Sequence, residues 1–345
     1  MKKLLLLFII ACFSQVSVNA QVTTAEIIGE VFYEEGTPLP GANVTAVHTP
    51  TGTTYGAVTN FDGGFNLLNL RVGGPYKISV SYVGFKTSVL EGIELNLGQT
   101  YNVEIEMISD ETQLDAVVIT AQRNQIINSD RTGAETNIGR KELKTLPTIS
   151  RSASDFYRLE PTASSNGSFG GRNDQFNNFS LDGSIFNNPF GLDAATPGGQ
   201  TNAQPISLDA IEQIQVSTAP YDVTQAGFTG ASVNAVTKSG TNTIEGTVYG
   251  FYRNEDMTGD KVAGDDIIVP DLKQAQYGVS IGAPIIKDKL FVFANFEKDD
   301  REDLGSNFVA RRPGLTGENV SRVSAEDLEY VSNELANLGY ETGPY

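Results

Sequence analysis

The chain has 345 residues, enough for two or three domains, and a formal charge of −18 with no Lys/Arg cluster to interrupt it. That balance repels phosphate backbones and excludes nucleic acid as a partner. One cysteine (Cys12) and one histidine (His48) exclude a disulfide framework, a Cys/His zinc site and machinery built on several histidines, so no metal, cofactor or catalytic residue is expected.

The chain opens with Lys2-Lys3, the apolar block Leu4 to Phe13, and Val18-Asn19-Ala20 before Gln21. A basic start, a short apolar stretch and a small residue at the cleavage point predict a secretory signal peptide over residues 1–20. The apolar stretch is too short to span a bilayer. Ile9-Ile10-Ala11-Cys12 has the residue types of a lipobox, the competing reading. Loss of the leader removes Lys2 and Lys3 and takes the charge from −18 to −20.

Thirty-five glycines among many Thr, Val, Tyr and Phe predict a mainly β chain with tight turns. In residues 22–108, period-two apolar positions (Ile27-Gly29-Val31-Tyr33, Ala42-Val44-Ala46, Tyr76-Ile78-Val80-Tyr82, Val103-Ile105-Met107) alternate with Gly, Pro, Asn and Asp turns. This spacing predicts a small N-terminal antiparallel β-sandwich. Gly29-x-Val31, Pro40-Gly41-Ala42-Asn43-Val44, Thr59-x-x-Asp62-Gly63-x-Phe65 and Tyr76-x-Ile78-x-Val80-x-x-x-Gly84-Phe85 resemble the carboxypeptidase-regulatory-like domain. A zinc peptidase needs several His/Glu ligands, and this region has only His48, read as a surface loop residue at a strand edge. Asp62-Gly63-Gly64 lacks the acidic ligands of a calcium loop and predicts a β-turn. The module is expected to be non-catalytic.

Residues 109–124 form a linker whose polar Ser109-Asp110-Glu111-Thr112-Gln113 precedes Leu114, Asp115, Ala116, Val117, Val118, Ile119, Thr120 and Ala121. A short β-branched stretch between polar flanks is suited to strand addition on a partner sheet. It resembles the TonB box of Bacteroidetes-type outer-membrane receptors, which implies an energy-transducing TonB-type partner in the periplasm. The alternative is a last strand of the sandwich or a first strand of the next domain.

Residues 125–240 mix helical turns and strands, with Pro147 and Pro161 stopping helices over 140–146 and 152–159. Arg172 leads to Leu181-Asp182-Gly183, and Ile211-Glu212-x-Ile214-x-Val216 leads through Pro220 to Gly227, Gly230, Asn234, Thr237, Lys238 and Gly240. This pattern resembles the plug domain of TonB-dependent receptors. Gln213 and Gln215 stand where that family usually has Arg and a second Glu, so an ion pair implied by the resemblance is missing. The Gly/Asn-rich stretch 187–204 reads as a polar loop, either facing a wet pore where ligand contacts it or plain surface.

From Thr243 three segments predict strands. In the second, Ala275, Tyr277, Val279, Ile281 and Ala283 put apolar groups on one face, and Gln274, Gln276, Gly278, Ser280 and Gly282 put polar or small groups on the other. This is the dyad of a strand between lipid and a wet lumen, although a half-buried sandwich hairpin alternates too. In the third, Leu290, Val292, Ala294 and Phe296 repeat the apolar row, while Phe291 and Phe293 blur the lumenal one. Residues 243–345 are thus expected to begin a transmembrane β-barrel that is incomplete, since plugged barrels need about 22 strands. Near the end Ser324-x-x-Asp327 predicts a capped helix bearing Leu328, Val331, Leu335 and Leu338 and packing locally.

The expected fold is therefore mainly β, a sandwich followed by a mixed α/β plug and the first barrel strands. The resemblance implies the N-terminal part of a TonB-dependent receptor that sits in outer-membrane lipid and takes up an unidentified extracellular solute, with a lipoprotein lid partner left open. The alternative from another class is a secreted or surface-attached β-rich adhesion protein. A hydrolase has little support, because no Asp/Glu pair sits in a catalytic context.

Overall fold

A computed structural model describes residues 23–33, 36–110, 117–120, 134–148, 151–164, 167–188, 206–220, 225, 227–266, 269, 271–303, 308–317, 319–340 and 342. The expected leader and most of the Gly/Asn-rich stretch 187–204 lie outside them. The chain divides into two compact units, residues 1–247 with 280–296, and residues 248–279 with 297–345.

The first unit begins with eight strands: β1 (Thr24–Tyr33), β2 (Thr37–Pro38), β3 (Asn43–His48), β4 (Thr53–Val58), β5 (Gly64–Arg71), β6 (Gly73–Ser81), β7 (Ser88–Leu95) and β8 (Thr100–Met107). In one sheet β1 pairs with β2, β5 and β8, and in the other the order is β4-β3-β6-β7. Alternate residues of β1 point inward, and Ile27, Val31, Val44, Ile78, Val80, Leu95 and Ile105 form a core between the sheets. The one departure from an antiparallel arrangement within these eight strands is β8, which runs parallel to β1 from Glu26↔Thr100 to Tyr33↔Met107.

His48 is not a surface residue. It ends β3, which has neighbours on both sides, and it is only 4% exposed. Its Nδ1 lies 2.7 Å from Thr51 Oγ1 and its ring packs on Tyr76 at 4.9 Å. The expectation fails because Thr53–Val58 carries little apolar alternation, so the sequence conceals β4 and makes β3 look like an edge.

The central domain of the same unit contains β10 (Ala134–Ile138), α1 (Arg140–Thr145), α2 (Ala153–Tyr157), β11 (Asn178–Leu181), β12 (Ser184–Ile185), β13 (Ile211–Ala219) and β14 (Ser232–Thr237). Helix α1 stops where expected, because Leu146 must be extended ahead of Pro147. The sheet order is β10-β13-β14-β11-β12, with β11 parallel to β14, and Ile211, Ile214, Val216, Phe156, Phe169 and Phe179 fill its core. Strand β9 (Val117–Thr120) precedes this domain in the chain but belongs to the sandwich, where it adds to β7.

Three long strands, each divided between the two units, follow: β15 (Glu245–Asn254), β18 (Leu272–Ile286) and β19 (Leu290–Asp303), ordered β15-β18-β19, with a small hairpin of β16 (Lys261–Val262) and β17 (Asp265–Asp266) between the first two in the chain. The burial of β18 is inverted relative to a water-soluble sheet. Gln274, Gln276 and Ser280 are buried, whereas Tyr277, Val279 and Ile281 are 46%, 45% and 51% exposed. Leu290, Val292 and Phe296 extend the exposed apolar row on β19, and Phe291 and Phe293 lie on its half-buried side. Burying amides while exposing aliphatic groups is unfavourable in water and favourable in hydrocarbon.

The second unit also holds β20 (Val309–Arg311), β21 (Val320–Ser324) and α3 (Ala325–Asn337). Ser324 Oγ accepts from the Asp327 N–H at 3.1 Å and Asp327 accepts from Ser324 in return, completing the expected capping box. Local packing of α3 is weaker than expected. Leu328 and Leu335 are half-buried, while Val331 and Leu338 are exposed.

Candidate functional site

Strand β9 pairs in parallel with β7, in register from Ser88↔Val117 to Glu91↔Thr120. It ends the sheet β4-β3-β6-β7-β9, so one of its edges is taken by β7. Leu114, Asp115, Ala116 and Ala121, the rest of the stretch expected to recruit a partner, lie outside the described residues.

The opposite end of β7 meets the central domain. Gln213 Oε1 accepts from the Leu97 N–H at 2.9 Å, and Gln213 Nε2 donates to the Leu95 carbonyl at 3.0 Å. Two residues along β13, Gln215 Nε2 donates to the Leu97 carbonyl at 3.0 Å and to Glu135 Oε2 on β10 at 3.2 Å. Residues 213 and 215 share one face of β13, so both amides reach the same turn between β7 and β8. Gln213 satisfies an N–H and a carbonyl at once. A carboxylate offers only acceptors and a guanidinium only donors, so the residue types expected from the family resemblance could not make this clasp singly. Each bond is worth about 1 kcal/mol net, and leaving its buried backbone partner unmatched costs about 1–3 kcal/mol.

Charged groups border the clasp. Arg140 at the start of α1 donates from Nε and Nη2 to Glu212 Oε2 at 3.1 and 2.8 Å. Arg71, at the end of β5, donates to Ser239 Oγ. Together with His48 and Lys238 these residues line a cavity of about 470 Å³ between the sandwich and the central domain. Burial, and then Arg71 and Arg140, lower His48 from 6.5 to about 4, so the ring is neutral at pH 7. Burial also pushes Lys238 below the ordinary lysine range, against the pull of Asp209 beside it.

The central-domain motif residues hold one another. Asp182, in the left-handed region with φ 48° and followed by Gly183 at φ 80°, accepts from the Thr237 N–H and hydroxyl. Lys238 Nζ donates to the Asp209 carbonyl at 2.5 Å, and Ser180 Oγ donates to Asn234 Oδ1 at 3.0 Å. A Cβ on Gly230 would fall 2.2 Å from Asn177 Oδ1. Ile211, Ile214 and Val216 are core and Glu212 binds Arg140, whereas Pro220 lies just past the end of β13 without a role in the site and the Arg172 side chain is exposed. The structure therefore gathers Asp182, Gly183, Thr237 and Lys238 and leaves Arg172 apart. Sequence reasoning missed Arg71 and Arg140, and the only signal for the clasp was the pair of glutamines at charged positions.

Among the described residues no group of three or more His, Cys, Asp and Glu side chains could hold a metal, and no helix is long and apolar enough to cross a membrane, which says nothing of a β-barrel.

Residues 26–108 match the carboxypeptidase regulatory-like domain, and residues 236–319 match the outer membrane beta barrel domain. Over 292 residues the chain is 26% identical to the TonB-dependent transporter Oar of Myxococcus xanthus, covering 79% of this chain and 26% of that one. It is 32% identical over 143 residues to the TonB-dependent receptor SusC of Bacteroides thetaiotaomicron, covering 41% and 13% of the two chains. The crystal structure of the outer membrane transporter YddB from Escherichia coli superposes on 55% of this chain and 28% of its own with a TM-score of 0.39 and 16% identity. The chain thus spans about a quarter of the length of the Myxococcus relative. These relatives are named as transporters and receptors, not as enzymes. With both matches present in this order, the chain carries a carboxypeptidase regulatory-like domain ahead of an outer membrane beta barrel domain, and its sequence is similar to TonB-dependent transporters and receptors.

Proposed function

We propose that this chain is the N-terminal part of a receptor that takes up an extracellular solute at the expense of energy delivered from the periplasm, without catalysing a reaction. In this reading residues 1–20 are a cleaved export signal, residues 125–240 are the plug, and residues 114–121 are the stretch a TonB-type protein grips. The inverted burial of β18 carries the proposal, because an exposed Tyr277, Val279 and Ile281 row opposite buried amides suits a wall between lipid and a plugged lumen.

The turn between β18 and β19 supports the orientation. Asn242 Nδ2 donates to Asp288 Oδ1 at 2.7 Å, the Asp288 N–H donates back at 2.9 Å, and the Asn242 N–H donates to the Pro50 carbonyl of the sandwich at 2.8 Å. Short turns of outer-membrane barrels face the periplasm, so the sandwich and β9 would lie on the side from which energy arrives.

The test is uptake and fractionation of the whole protein. It should require detergent for extraction from the outer membrane, and Val118→Pro should abolish energised uptake with the protein still inserted. Recovery as a soluble extracellular protein, or unchanged uptake by Val118→Pro, would reject the reading.

A further inference from the structure

Strand β7 has two attachments. Its first half, Ser88 to Glu91, holds β9 through strand pairing. Its last residue, Leu95, accepts from Gln213, and Leu97 just beyond is bonded by both Gln213 and Gln215. Between these points β7 is pinned along β6, from Val80↔Ser88 to Gly73↔Leu95. It is therefore held within a folded sheet, and the sandwich core holds Leu90, Ile93 and Leu95 in place.

From these contacts we infer that β7 is a mechanical relay: a pull on β9 passes through β7 into the glutamine clasp and displaces plug strand β13 while β9 stays on the sandwich. The inference rests on the coupling role proposed above for residues 114–121. It assigns the regulatory domain a task in transport, and makes Gln213 and Gln215 the residues that transmit the load.

Two connections compete to carry the force. The covalent one runs through residues 121–133 to β10. The relay is made of hydrogen bonds already formed at both ends, so a small displacement of β9 loads it at once. The parallel β7–β9 pair is held by evenly spaced bonds over four register positions, from Ser88↔Val117 to Glu91↔Thr120. Within the plug, β13 is also held by the β10–β13 ladder, and Gln215 touches it through Glu135, so the clasp grips both strands that the covalent route would have to unzip.

The relay requires that β9 need not leave β7 to act. One edge of β9 is occupied by β7, and strand addition to a sheet uses the edge that remains, so a partner strand can extend the sheet without displacing it.

The test uses the whole membrane-inserted protein carrying Ser232→Cys, since Ser232 is fully buried in β14 and its hydroxyl has no partner among the described residues. Maleimide labelling of that thiol is timed in energised cells and in cells whose proton-motive force has been collapsed. The parent should label faster when energised. A Glu91→Cys/Thr120→Cys disulfide, joining register partners of β7 and β9, should leave that difference intact. Gln213→Leu/Gln215→Leu should lose it while the protein is still recovered inserted in the outer membrane.

Loss of the difference in the crosslinked protein, with recovery on reduction, would overturn the relay, because β9 would then have to detach. Retention of the difference in the glutamine variant would overturn it too. The crosslinked arm stands even where the glutamine variant fails to fold. A parent that labels equally with and without energy, together with unchanged uptake by Val118→Pro, would instead reject the coupling role of residues 114–121 and the relay with it.

Discussion

The Asp182 carboxylate is bound by Thr237 twice, from the backbone N–H at 2.9 Å and from the hydroxyl at 2.8 Å, although 55 residues separate them. The contact closes the end of β14 onto the β11–β12 turn, and it explains why a Leu-Asp-Gly signature and a Thr-Lys signature so far apart belong to one motif. Asp182 also adopts a left-handed backbone, which Asp and Asn tolerate better than other side chains. Asp182→Asn should therefore keep the turn and cost under about 1 kcal/mol, while Asp182→Ala loses both bonds and adds backbone strain, about 2 kcal/mol together. Thermal unfolding of both variants in detergent checks the order, and equal losses would show that the side-chain bonds contribute nothing.

The glutamine clasp should be non-additive. Gln213 and Gln215 share Leu97, one through its N–H and the other through its carbonyl, so removing either loosens the turn that the other grips. Gln213→Ala and Gln215→Ala should each cost about 1–3 kcal/mol, and the double variant less than their sum. Gln213→Glu separates the two functions of the amide, since a carboxylate cannot donate to the Leu95 carbonyl. Amide hydrogen exchange at Leu97 reports the clasp directly. Unchanged protection in Gln213→Ala would mean that the contact does not persist in solution.

His48 makes stability fall in acid. Its folded value, about 4, lies below the ordinary 6.5, so the unfolded chain takes up a proton first. Its contribution is complete above about pH 6.5, is lost as pH falls toward 4, and levels off below that. The full span is roughly 3 kcal/mol. The causes are burial against Tyr76 and Thr51, then Arg71 and Arg140 across the cavity. His48→Gln should flatten the limb of the thermal midpoint between about pH 4 and 6.5, and a limb of unchanged slope would assign the acid sensitivity to other groups.

Much of the fold is legible in the order of amino acids. Strands β1, β3, β6 and β8 alternate cleanly between turn residues, and the stop of α1 ahead of Pro147 follows from ring chemistry alone, whereas α2 already ends at Tyr157, short of the expected stop at Pro161. Strand β7 is not legible, because Gly92, at φ 82°, interrupts Ser-Val-Leu-Glu-Gly-Ile-Glu-Leu and blurs its period. Parallel partners such as β1 and β8 leave no trace in a single chain, since their register joins residues as distant as Glu26 and Thr100. The clasp is hidden for another reason. Glutamine in a strand ordinarily signals solvent, and only the turn of a separate domain laid over β13 turns Gln213 and Gln215 into buried groups.

The rows of β18 give the sharpest test of where this sheet resides. Val279 points outward and is 45% exposed, while its neighbour Ser280 is buried on the opposite face. In water an exposed Val279→Arg change would be close to neutral, as surface substitutions usually are. Against hydrocarbon the same change places a guanidinium in lipid and costs about 2–4 kcal/mol near the midplane, less toward the interfaces. Ser280→Ala loses only a small hydroxyl from the inner face and should insert normally. Folding yield of the full-length protein into lipid vesicles, followed by denaturant unfolding, separates the two environments: Val279→Arg should reduce both quantities and Ser280→Ala neither. Normal insertion and stability of Val279→Arg would place the apolar row of β18 against water or protein, and the barrel wall would have to be sought elsewhere in the chain.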